Sequence, residues 1–155
     1  MSAKIVLATS NKGKVVEIKN MMSGYEVVNY TDIIPPFHIE EDGDTFKDNA
    51  IIKAKAVFDA LGDDDTIVLS DDSGICVDVL GGEPGIYSAR YAGAGANDKE
   101  NLQKLVDSIK AVGCANSPAH YTAAIAIATK EGIYTVHGHM YGIAITSPRG
   151  DKGFG

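Results

Sequence analysis

The sequence is short of cations: Lys and Arg number 14 against 21 Asp and Glu, a formal charge of −7. Duplex binding rests on lysine and arginine neutralising backbone phosphates, so this deficit argues against a nucleic-acid partner. A small phosphorylated ligand needs only a few local cations or a metal, and stays open. Cysteine is scarce too. Cys76 and Cys114 stand alone, with no CxxC spacing and no signal-peptide pattern, so a reduced, cytoplasmic protein is expected. No apolar run approaches membrane-spanning length, which excludes insertion as the expectation, and there is no internal repeat or low-complexity tract. What is there is a chain of 155 residues, 45% hydrophobic, enough for one soluble domain with its own core.

Hydrophobic spacing outlines an α/β chain. Ile5-Val6-Leu7-Ala8 reads as a buried strand. After Asn11-Lys12-Gly13 the apolar residues Val15, Ile18, Met21 and Met22 fall at helical spacing, and Gly24 can end that helix. Tyr25 to Tyr30 suggests a second strand, and Pro35-Pro36 with Glu40-Glu41-Asp42-Gly43-Asp44 a loop. Thr45 is placed as an N-cap for an amphipathic helix carrying Phe46, Ala50, Ile51, Ala54, Val57, Phe58 and Leu61 and stopped by Gly62. Thr66 to Ser70 reads as a buried strand ending on Asp71-Asp72, Ile75 to Leu80 as a short strand, and Gly81 to Gly85 as a turn. Asp98 to Val112 reads as a helix, and His120 to Thr129, Ile133 to His139 and Tyr141 to Thr146 as three strands. The expected architecture is a mixed twisted sheet with flanking helices. The chain stops at Lys152-Gly153-Phe154-Gly155 with no closing helix or strand, which reads as an end short of a domain boundary.

Several segments are candidates for chemistry. Thr9-Ser10-Asn11-Lys12-Gly13-Lys14 lies between a strand and a helix N-terminus, where unpaired N–H groups and the helix dipole favour an anion. It is not a Walker A loop, because Val15 follows Lys14 where Ser or Thr is required; a polar turn capped by Asn11 is the plain alternative. Asp71-Asp72-Ser73-Gly74 at a strand end suggests a cation site, since neighbouring carboxylates resist sharing a site and Mg²⁺ takes one or two carboxylates plus phosphate oxygens. An Asx-turn closed by Ser73 competes with that reading. Glu40 and Glu41 offer a further ligand or a solvated loop. Asn49 and Lys53 share a helix face, against surface lysines as the commoner case. Arg90 suits a phosphate or an ion pair. His137 and His139 would share a strand face, but the third ligand a zinc site needs is not apparent, so ordinary polar or packing roles are expected, and Cys76 reads as a small buried apolar residue.

The order of these segments carries more than any one of them. Ala8 to Lys14 with Glu17, then Glu41-Asp42-Gly43-Asp44-Thr45-Phe46 with Asn49-Ala50 and Lys53-Ala54, then Asp71-Asp72-Ser73-Gly74 and Gly81 through Tyr91, closely resembles the inosine-triphosphate pyrophosphatase family, and Pro148-Arg149-Gly150 and Gly153-Phe154-Gly155 also fit. The resemblance implies a two-lobed α/β fold around a cleft, a homodimer, and Mg²⁺-dependent hydrolysis of ITP, dITP and XTP to the monophosphate and pyrophosphate. By the family pattern Thr9, Ser10, Asn11, Lys12, Gly13 and Lys14 cradle the triphosphate, and Lys53 adds positive charge. Glu41 and Asp72 serve the metal, Asp72 doubles as the base, and Ser73, Phe154 and Gly155 touch substrate. It also implies a single pyrophosphatase domain over residues 1–155 without the family's C-terminal segment, in which a Lys and a His-Arg pair help hold the purine. Two alternatives stand beside it: a catalytically impaired nucleotide-binding or dimerisation module, and a Maf-type pyrophosphatase, whose Ser-Pro-Arg-Arg loop is replaced here by Ser10-Asn11-Lys12-Gly13.

Overall fold

A computed structural model describes residues 4–151. The elements run β1 (Lys4–Leu7), α1 (Lys12–Met21), β2 (Glu26–Asn29), α2 (Phe46–Leu61), β3 (Ile67–Val77), α3 (Asp98–Ala111), β4 (Asn116–Thr129) and β5 (Gly132–Ile145), with short 3-10 turns at Tyr30–Asp32, Asp78–Leu80 and Gly85–Arg90. The strands lie in the order β2-β1-β3-β4-β5. β1 pairs in parallel with β2 and with β3, Val6 opposite Val28 on one side and Val68 on the other. β4 and β5 are joined by Lys130-Glu131 alone, a connection that only antiparallel neighbours permit. The sheet is therefore mixed, as the spacing of elements leads one to expect. No helix among the described residues is long and apolar enough to cross a membrane.

The chain divides into two compact units, Met1–Asp72 with Ala124–His137, and Ser73–Ala123 with Gly138–Gly155. In the first, strand alternation sends side chains to two separate cores. Val6, Ala8, Val68 and the alanines at 124, 126 and 128 bury against Ala50, Ala54 and Val57 of α2, while Ile5, Leu7, Leu69, Ile125 and Ile127 pack with Val15 and Ile18 of α1 and with Met22 at its C-cap. The alanine surface lets α2 come close, and Ser70 Oγ donates a hydrogen bond to the Ala50 carbonyl of that helix. Thr45 caps α2 by accepting from Asp48 N at 3.0 Å, and Gly62 ends it at φ +62°, where a side chain would be strained. In the second unit Val77, Ile109 and Ala119 form the core with Ile75, Leu80 and Leu105, and Asn97 with Glu100 makes a capping box for α3.

Several expectations about the strands need correction. Asp71-Asp72-Ser73-Gly74 is not a turn at a strand end; β3 runs unbroken from Ile67 to Val77. That removes both the strand-end placement and the Asx-turn at Ser73. The strand continues because its polar side chains alternate to opposite faces, each toward partners of its own. Likewise the two strands expected over 133–139 and 141–146 are one, β5, which Gly138 and Gly142 do not break and which ends at Ile145; the strand expected over Ile75–Leu80 is the end of β3 followed by the 3-10 turn Asp78–Leu80; and β4 begins at Asn116, ahead of the expected His120.

Candidate active site

The chemistry-bearing side chains of the first unit follow the alternation of β3. Val68, Ser70 and Asp72 face α2, whereas Leu69 and Asp71 face α1. The neighbouring aspartates are thus separated, and each meets a different lysine. Asp71 Oδ2 lies 2.7 Å from Lys14 Nζ, with both side chains largely buried. Asp72 lies among Lys53, Glu41 and Asn49, and Lys53 Nζ sits 3.4 Å from Glu41 Oε2. Burial pushes the Asp72 carboxyl above the ordinary aspartate range; Lys53 opposes the shift, Glu41 adds to it, and the Asn49 amide and Lys14 oppose it more weakly.

Three buried polar atoms here lack a hydrogen-bond partner: Asn49 Nδ2, Asp71 Oδ1 and Asp72 Oδ2. The Asn49 amide is near enough to ease the Asp72 charge, yet makes no well-directed bond to it. Orphaned buried carboxylate oxygens are costly, and a cation or ordered water is what ordinarily satisfies them. No three His, Cys, Asp or Glu side chains converge among the described residues. The oxygen donors therefore suit a hard cation that takes a few carboxylates and completes its shell from water or substrate, and not a closed protein cage. At the start of α1, Thr9 Oγ1 accepts from Asn11 N (3.1 Å), and Asn11 Oδ1 accepts from Gly13 N (2.9 Å) and Lys14 N (3.2 Å).

Residues 5–155 match the Ham1 family. The chain belongs to the Ham1 family. It is 59% identical to a dITP/XTP pyrophosphatase of Nautilia profundicola, over 98% of this chain and 77% of the relative. A dITP/XTP pyrophosphatase of Sulfurimonas denitrificans is 58% identical, over 98% and 78%. Among solved structures, a HAM1 protein from Coxiella burnetii superposes with TM-score 0.84 at 34% identity, covering 98% of this chain and 78% of that one. The Staphylococcus aureus Ham1 protein gives 0.81 at 36%, covering 98% and 77%.

Within this Ham1 chain the structure gathers Glu41, Lys53 and Asp72 in the first unit, and it joins Lys14 to Asp71. Thr9 is buried; Ser10, Asn11, Lys12 and Gly13 are exposed at the mouth of α1, where Asn11 serves as the helix cap. Ser73 is half-buried on β3 and belongs to the second unit. Phe154 and Gly155 lie outside the described residues. Asp71, a candidate cation ligand in the sequence, pairs with Lys14, and Ser70, which the sequence does not single out, bonds to α2; the two-residue period that carries through the polar tetrad into Ile75 and Val77 tells which face each takes, not what it meets there. In the second unit Arg90 stacks 5.2 Å from the Tyr87 ring centre. His139 Nδ1 meets Thr122 Oγ1 at 3.1 Å in place of a metal partner. Burial raises the Cys76 thiol, in keeping with a packing role.

Proposed function

We propose that this chain hydrolyses deaminated purine nucleoside triphosphates (dITP, XTP and ITP) to the nucleoside monophosphate and pyrophosphate. The observation that carries the reading is the buried Asp72 carboxylate, with one oxygen unpartnered and Glu41 and Lys53 beside it. The name dITP/XTP pyrophosphatase borne by its relatives supports the choice of substrate.

Glu41 and Asp72 would hold a Mg²⁺ ion, for which their hard oxygen donors are suited. When bound, the metal supplies positive charge against the phosphate oxygens. Asp72 takes the proton of the water that attacks the α-phosphorus. Lys53 places charge beside the phosphates. The helix N-terminus at 9–14, with Ser10 and Lys12 open to solvent, receives the triphosphate. The bond from the α-phosphorus to the bridging oxygen breaks, pyrophosphate leaves with the electron pair, and the monophosphate keeps the oxygen from water. The same proposal includes substrate contacts by Ser73, Phe154 and Gly155, a cytoplasmic location, a homodimer, and no nucleic-acid or membrane partner; the charge of −7 supports the exclusion of nucleic acid.

Product analysis with ITP and Mg²⁺ tests the reading. Pyrophosphate and IMP are expected; orthophosphate with a nucleoside diphosphate would refute it.

A further inference from the structure

Asn49 sits in the opening turns of α2 and is only 1% exposed. Asparagine is a poor residue for a helix interior, and a buried amide with an unused donor is destabilising. Helix formation does not account for its presence. Its two polar atoms have different tasks. Oδ1 accepts from Gly43 N at 2.9 Å, which ties the acidic loop to the helix. Nδ2 is buried, unpartnered, and on the side of Asp72. The loop approaches so closely that a Cβ on Gly43 would stand 2.7 Å from both Asn49 Oδ1 and Asp48 Cβ. At the next residue, the Ala50 carbonyl accepts from Ser70 Oγ and anchors the same turn of α2 to β3 two positions before Asp72.

We infer that Asn49 is a positioning residue, whose carboxamide locks the Glu41 loop to α2 and turns its amide toward Asp72 so that both carboxylates are held in one geometry for a divalent cation. This rests on the role proposed for Glu41 and Asp72. Two carboxylates on separate elements, a loop and a strand, bind a cation only if something fixes their separation. Lys53, already 3.4 Å from Glu41, supplies charge but on a long flexible stem. The short amide, buried and bonded to the loop backbone, supplies the fixed distance.

Asn49→Leu, of similar shape and uncharged, deletes both the acceptor for Gly43 N and the donor. Gly43→Ala leaves Asn49 intact and displaces the loop from it. Each is compared with wild type and Asp72→Asn in three measurements: thermal unfolding, calorimetric titration of the nucleotide-free protein with Mn²⁺, and kcat and KM for dITP with Mg²⁺. Both variants are expected to fold, to bind Mn²⁺ at least about tenfold more weakly, and to lose kcat by a similar factor with KM for nucleotide little changed. If Asp72→Asn loses turnover while folded Asn49→Leu keeps wild-type Mn²⁺ affinity and kcat, the role of Asn49 is overturned and that of Asp72 stands. Wild-type Mn²⁺ affinity in Gly43→Ala overturns the loop lock, and this holds even if Asn49→Leu does not fold. If Asp72→Asn retains turnover, the site itself is misassigned and the role of Asn49 falls with it.

Discussion

Asp72 is expensive for the fold to hold as an anion. Its folded pKa is raised, chiefly by burial, so the folded state binds the Asp72 proton more tightly than the unfolded chain does. Stability from this group is therefore fully present below the unfolded pKa, about 3.9, and is lost as pH rises through the folded value. Asp72→Asn removes that loss. In metal-free buffer the variant should gain thermal stability over wild type, with a margin that widens from pH 4 to pH 8; a margin that is constant or shrinks would contradict it. Excess Mg²⁺ should narrow the margin by stabilising wild type alone. Gly74 poses a different residue-scale demand. A Cβ there would overlap the Gly85 carbonyl oxygen and Ser88 Oγ, and that hydroxyl accepts from Ile75 N (3.0 Å) while donating to Gly85 O (2.7 Å). Gly74→Ala should cost about 1–3 kcal/mol in denaturant unfolding; an unchanged midpoint would show that the contact yields freely.

At the scale of elements, the helices announce themselves because their signals are local. Thr45 and Gly62 bracket α2, and Asn97 with Glu100 opens α3, in the positions their side-chain chemistry requires. Strand ends are less legible. Four polar or small residues at 71–74 look like a turn in sequence, but in β3 Asp71 finds Lys14 and Asp72 finds the α2 side, so the ladder need not stop. Those partners are distant in sequence, and no local pattern reveals them. The same holds for Asn49, whose helix position was legible but whose bond to Gly43 was not. Packing between elements gives its own prediction. Ala124, Ala126 and Ala128 share a fully buried cluster with Ala50 and Ala54, so Ala126→Leu must push α2 outward. Overpacking of this kind costs about 1–3 kcal/mol, read as a lower urea midpoint; an unchanged midpoint would mean the alanine surface is not tightly packed.

Taken as a whole, the molecule keeps its proposed charge chemistry in one compact unit. Glu41, Asn49, Lys53, Asp71 and Asp72 with the 9–14 loop all belong to it, and β3 carries the chain from Asp72 directly into the second unit at Ser73. The fold class and the family were legible in the sequence through the order of its motifs. The opposed faces of the two aspartates became legible only when the strand was seen to continue. The central claim is that the Asp72 centre converts a deaminated purine triphosphate into a monophosphate and pyrophosphate. The most direct measurement is pyrophosphate release from dITP with Mg²⁺ by wild type and by folded Asp72→Asn under the same conditions. Wild type should release pyrophosphate and the monophosphate in equal amounts, and the variant should be slower by about 100-fold or more. A variant that turns over at the wild-type rate, or a wild type that releases orthophosphate instead, would contradict the account.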